Sequence, residues 1–422
     1  MAVLDSSMSR KPLPLLLAVT LLNSLLTANW CRAETAFQEQ ATDGPLAEEL
    51  GIFFNRFRDA IRNVDEDGFL ECFDFVGMLG QYIPKGTEET DKEKNKRIEV
   101  GVRRSMINVL PMMRMSMLWK TNRLVHLESN NDATKAIVIT RDRDDDNIET
   151  KTRWWLTKQE SGWRVTDFED IAMGMRLTSI AILAAQADGD EPWVATMPTF
   201  MQLAMAMAQE DIDAMRESLA TLQKVAYPKP LRAVLIVSQI VVLLDEGETE
   251  QALKAVQEGC KLDAKAPMWS YLESLVHLDS EDGAKAQKAI LRYVIMLGHD
   301  ADTYGILAES HRLLGDMKLA QATYEKLLAY NANVLEGLTG YWDILPKAER
   351  VETLRPFLVM ANNPIETLTA IADYAFYLDD LPLIDLCTEV MTQRKLPAGI
   401  LTEAGELRKM IIESLKEENS AN

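Results

Sequence analysis

Asn63, Asp65 and Asp67 place oxygen donors on alternate positions, Gly68 follows, and Asp74 closes the stretch. Alternating oxygens, a glycine at the sharp turn and a final carboxylate are what a hard cation such as calcium requires. The set departs from a full calcium loop in its first ligand, an Asn, and in its last, the shorter Asp, and no second loop accompanies it. The competing expectation is a capped turn between two helices. Calcium is therefore a candidate ligand, and no metal is assigned. Met106, Met112, Met113, Met115 and Met117 form a second cluster. Thioethers can bind copper, but Met113 and Met117 share a helical face and Met115 does not. The cluster reads as apolar core or the flexible wall of a pocket. Of the chain's 4 histidines, His126 alone lies in the front third. It is a solitary strand residue, which favours a packed or surface role. Asp167 and Arg164 fall on opposite faces of one strand, and no second member of an acid–base pair is identifiable. No catalytic or cofactor-binding residue is assigned.

These residues need a scaffold, and the hydrophobic period supplies one. Leu46 to Asn63 reads as an amphipathic helix with Leu50, Phe53, Phe54, Phe57 and Ile61 on one side. Phe69 to Leu79 is a second helix, and Lys96 to Trp119 a third, bent at Pro111. The period then changes to two. Arg123 to Glu128, Thr134 to Arg141, Ile148 to Lys158 and Gly162 to Glu169 read as four strands in a meander. Asn130-Asn131-Asp132, the acidic run Arg143 to Asn147 and Gln159 to Gly162 join them. Helices followed by a curved antiparallel sheet predict an α+β domain over residues 45–180. The segment Trp154-Trp155-Leu156-Thr157-Lys158, with Gly162-Trp163-Arg164-Val165-Thr166-Asp167-Phe168, resembles the last hairpin of nuclear transport factor 2-like domains. The opening Phe57 to Phe75 resembles the start of that family. The resemblance implies a cone whose sheet wraps an apolar pocket. Members include enzymes, binders of lipids or small ligands, and interaction modules, so it leaves function open.

Behind this domain the period is 34. Ala252, Ala286 and Ala320 stand 34 residues apart, in blocks 233–266, 267–300 and 301–334. The third block, with Tyr304, Leu307, Ala308, Gly315-Asp316, Ala320, Tyr324, Leu327 and Leu328, resembles the tetratricopeptide repeat. A small residue fits where two antiparallel helices cross tightly, and a glycine supplies the turn that ends the first of them. The first block keeps its turn glycine as Gly247. The second has Glu281 there and Gly283 slightly later, so its turn is expected to be irregular. Trp193 to Ala208 and Asp211 to Val225 read as helices upstream, closed by Tyr227-Pro228-Lys229-Pro230. Ile365 to Leu378, Pro382 to Gln393 and Ile400 to Leu415 read as helices downstream, and Lys416 to Asn422 as a frayed tail. Together these predict an all-α helical-repeat solenoid over residues 190–418. Such a groove takes an extended peptide or a partner helix. The first helix of the third block offers Asp302, Glu309 and Arg312 rather than a cationic carboxylate clamp, which predicts an acidic groove for neutral or basic partners.

The formal charge of −20 disfavours nucleic acid and anionic membrane surfaces. At the N-terminus, Arg10 and Lys11 precede the apolar run Leu13 to Leu26, and Cys31-Arg32-Ala33 offers a cleavage site, which predicts a signal peptide over 1–33 and a linker over 34–44. An uncleaved anchor is the alternative, and Trp30 before Cys31 argues against a lipoprotein signal. The mature chain carries 42 basic and 64 acidic residues. It retains Cys72, Cys260 and Cys387, too sparse for a disulfide framework and without the spacing of a zinc site. The expectation is an exported protein, periplasmic or secreted and not an enzyme. It would bind a protein or peptide in the solenoid groove, without nucleic acid and without stable membrane insertion after cleavage. A carrier of a small molecule or lipid in the front pocket is the alternative, and an enzyme using that pocket ranks third. Oligomeric state has no signature in the sequence.

Overall fold

The computed structural model describes residues 38–39, 42–82, 96, 99–104, 106–107, 110, 121–143, 149–171, 175–176, 192–209, 211–264 and 266–421. The predicted signal peptide, Pro111 and Met112, Met113, Met115 and Met117 lie outside them. The chain divides into two compact units. One comprises Met1–Val276 with Ile295–Gly298, the other His277–Val294 with His299–Asn422.

In the first unit β1 (Gln38–Glu39) precedes α1 (Pro45–Asn63), α2 (Glu66–Glu71) and α3 (Phe75–Tyr82). Pro45 opens α1 with its φ preset for a helix. Its apolar stripe, Leu50, Phe53, Phe54, Phe57 and Ile61, is buried. The helix predicted over Phe69 to Leu79 is instead two helices. The break arises because Phe73 bridges to Val165. The Val165 amide donates to Cys72 O, and the Asp74 amide to Val165 O. Asp74 then starts α3 by accepting from the Gly77 amide. The described residues between 96 and 110 are helical, and Met106 and Leu110 there are buried.

The sheet follows as β2 (Thr121–Ser129), β3 (Lys135–Arg143), β4 (Glu149–Gln159), β5 (Gly162–Asp170) and β6 (Met175–Arg176), all antiparallel and ordered as in the sequence. The four long strands are those expected from the two-residue period. The two edge strands, of 2 residues each, are too short to show any period. On one face Val138, Trp154, Leu156 and Phe168 meet α1 to α3 in a common core. On the other face lie Arg141, Lys151, Arg153, Asp167 and Glu169.

The remaining described residues form helices in succession: α4 (Met197–Ala208), α5 (Ile212–Leu222), α6 (Lys229–Asp245), α7 (Thr249–Leu262), α8 (Pro267–Asp279), α9 (Gly283–Leu297), α10 (Ala301–Leu313), α11 (Met317–Tyr330), α12 (Leu335–Ile344), α13 (Arg350–Met360), α14 (Pro364–Tyr377), α15 (Leu381–Gln393) and α16 (Ala398–Ala421). The tail expected to fray is the last turn of α16. One turn recurs. Gly247, Glu281, Gly315 and Asp379 all have left-handed backbones, with φ of 74°, 56°, 78° and 52°. Each next amide, those of Glu248, Asp282, Asp316 and Asp380, reaches back five residues to a carbonyl, at 2.8, 2.8, 3.0 and 2.8 Å. That bond closes a Schellman motif. Asp282, Asp316 and Asp380 then cap the following helix through their side chains. The turn at Glu281, expected to be irregular, is thus the same turn with a non-glycine residue in it. Ala252, Ala286 and Ala320 each lie four residues past the capping position and are fully buried. A larger side chain there would force the paired helices apart.

Candidate functional site

The interior of the front sheet is filled with rings. Phe54 and Phe57 lie edge-on to Trp154 at 5.4 and 5.3 Å, and Phe168 stacks on it at 5.2 Å. At one end the Trp154 indole donates to Thr140 Oγ1 at 2.9 Å, and that hydroxyl donates to Asp142 Oδ2 at 3.1 Å. Sequence reading placed Asp142 at the start of a solvated acidic turn, yet it is fully buried. This chain holds an indole in place, and Asp142 is satisfied by a hydroxyl rather than paired with a second acid.

The expected calcium ligands are used as helix caps. Asp65 accepts from the Gly68 amide at 3.0 Å and Asp74 from the Gly77 amide at 2.9 Å. Asn63 ends α1, and Asp67 lies in the first turn of α2. Among the described residues no group of three or more His, Cys, Asp or Glu is placed to hold a metal ion. His126 meets Glu128 on its own strand at 3.0 Å. Arg164 donates to Ser161, and Asp167 is buried with Oδ1 accepting from the Phe168 amide. Cys72, Cys260 and Cys387 are free thiols. Burial pushes the thiols of Cys72 and Cys387 up, away from the reactive thiolate.

The second unit carries a different arrangement, a polar stripe across α10, α12 and α14, which touch in that order. On α10, Arg312 Nε donates to Glu309 Oε2 at 2.8 Å. From α11 the Tyr324 hydroxyl donates to the same oxygen at 3.3 Å. On α14 the Tyr374 hydroxyl donates to Asp343 Oδ2 of α12 at 3.0 Å. Burial, then the neighbouring Glu309, hold the Tyr324 hydroxyl far above the ordinary tyrosine range, and Asp343 adds to the effect. Gly340 makes room, because a β-carbon there would run into the Tyr324 hydroxyl. Glu309, Arg312 and Tyr374 are half-buried and Asp343 is exposed. The stripe can therefore accept hydrogen bonds from cations or amides along three adjacent helices. Glu309 and Asp343 are 34 residues apart, equivalent positions of one period. Sequence reading picked out Asp302, Glu309 and Arg312 but missed α12 and with it Asp343. A signal was present, since Leu338, Tyr341 and Trp342 fall 34 residues after Tyr304, Leu307 and Ala308. Gly337, Gly340 and Pro346 obscured it.

Comparison with known proteins returns no match to a family model, to a curated protein or to a solved structure.

Proposed function

We propose that this chain is an exported, non-enzymatic interaction protein whose helical region is a tetratricopeptide-like solenoid holding an extended polypeptide. The front α+β module, with its likeness to nuclear transport factor 2-like domains, serves as its structural head. The observation that carries this reading is the Glu309–Tyr324–Asp343–Tyr374 stripe. Its carboxylates recur at one period on adjacent first helices, and tyrosines hold them in place. The chain's charge of −20 draws cationic partners to such a surface. Neighbouring helices lie about 8–10 Å apart and an extended chain rises about 3.3 Å per residue. The partner class is thus an extended segment with Lys or Arg at every third position. Ring filling around Trp154 favours this reading over a carrier, because the rings occupy the space that a carried ligand would take.

Fluorescence anisotropy with labelled peptides of one composition tests this. Peptides with basic residues spaced by three should bind more tightly than permuted or acidic ones. Asp343→Asn and Glu309→Gln should each weaken that binding by about tenfold, the loss expected of one charge-assisted contact. Equal binding of all peptides, or of all variants, would remove the stripe as the site.

A further inference from the structure

Helix α6 is apolar on every side. Leu231, Val234, Val237, Ile240, Val241 and Leu244 are all buried, although they point around the whole helix. A first helix in an open helical array keeps one flank free. Here α6 touches α5 and α7, and the remaining described element against it is β6, at the sheet edge. The sheet also faces the helices with its charged side. Arg153 bonds Glu169 across β5, lies 4.7 Å from the Trp155 ring centroid, and comes within 3.9 Å of Asp263 at the end of α7. Arg141 lies beside Gly298.

We propose that the charged face of the sheet is a releasable lid on α6, latched by Arg153 between Glu169 and Asp263. A permanent interface would be better built from apolar side chains, because burying ion pairs costs desolvation that packed hydrophobic groups avoid. This one buries Glu169 completely, and its Oε1 has no hydrogen-bond partner among the described residues. The contact is specific but weakly bound, so it can open without unfolding the ring-filled core on the opposite face. Lifting the lid bares the apolar flank of α6. The proposal stands on the burial of α6 and on the latch, independently of what the stripe binds.

Binding of the dye ANS to the full chain, read with far-UV circular dichroism and with hydrogen exchange of residues 229–245, tests it. Asp263→Asn leaves the Arg153–Glu169 pair intact, so this variant should fold. It should raise ANS fluorescence several-fold and speed exchange of α6 amides, with helical signal unchanged. Arg153→Gln should do more, and Arg153→Lys less. Wild-type ANS binding and exchange in both Asp263→Asn and Arg153→Gln would overturn the latch. A rise that comes only with loss of helical signal would show unfolding instead of a lid, and would overturn it equally.

Discussion

At the scale of single residues, the tyrosines of the helical region are the most informative groups. Tyr324 and Tyr341 donate to Glu309 and Glu325, and burial is the largest cause of their raised hydroxyl pKa values. An unfolded tyrosine loses its proton near about pH 10. Above that pH the unfolded state binds fewer protons than the folded one, so stability falls as pH rises and is fully present below it. Urea unfolding measured from pH 8 to 11 should show this decline. Tyr324→Phe and Tyr341→Phe should each flatten it, and each should lower stability at neutral pH by about 1 kcal/mol for the lost hydrogen bond. Aspartates show the opposite lesson. Asp65 and Asp74 have calcium-like spacing, but each satisfies a backbone amide at a helix start, and a sequence pattern cannot separate these two uses of a carboxylate.

At the scale of elements, the recurring turn explains what was legible. Strands of nine or more residues and helices with a strong apolar stripe were read correctly because one buried face imposes a period on the sequence. The 34-residue spacing of Ala252, Ala286 and Ala320 was visible because every paired crossing needs a small, fully buried residue. The break at Phe73 was not legible, since it depends on hydrogen bonds to Val165, far along the chain. Neither were α12 and α13, whose internal glycines and Pro356 imitate a loop. Glu281 shows the turn surviving without its glycine. A left-handed backbone costs a side chain about 1–2 kcal/mol, partly offset by the greater freedom a glycine loses on folding. Glu281→Gly should therefore stabilise the chain by about 0.5–1 kcal/mol in urea unfolding, whereas Gly315→Ala should destabilise it by a similar amount.

At the scale of the whole molecule, two properties bear on function. Charge is the first: an acidic chain with carboxylates repeated on adjacent first helices is suited to a cationic polypeptide. Export is the second, and it predicts that protein recovered outside the cytoplasm begins at Glu34. N-terminal sequencing checks this, and an intact Met1 would favour the anchor. Among the described residues no helix is long and apolar enough to cross a membrane. The most direct test of the central claim is hydrogen exchange of the full chain with and without a saturating extended peptide carrying Lys at every third position. The account predicts coincident protection of residues 301–313, 335–344 and 364–377, lost in Asp343→Asn. Protection confined to the front sheet, or absent from those three helices, would contradict it.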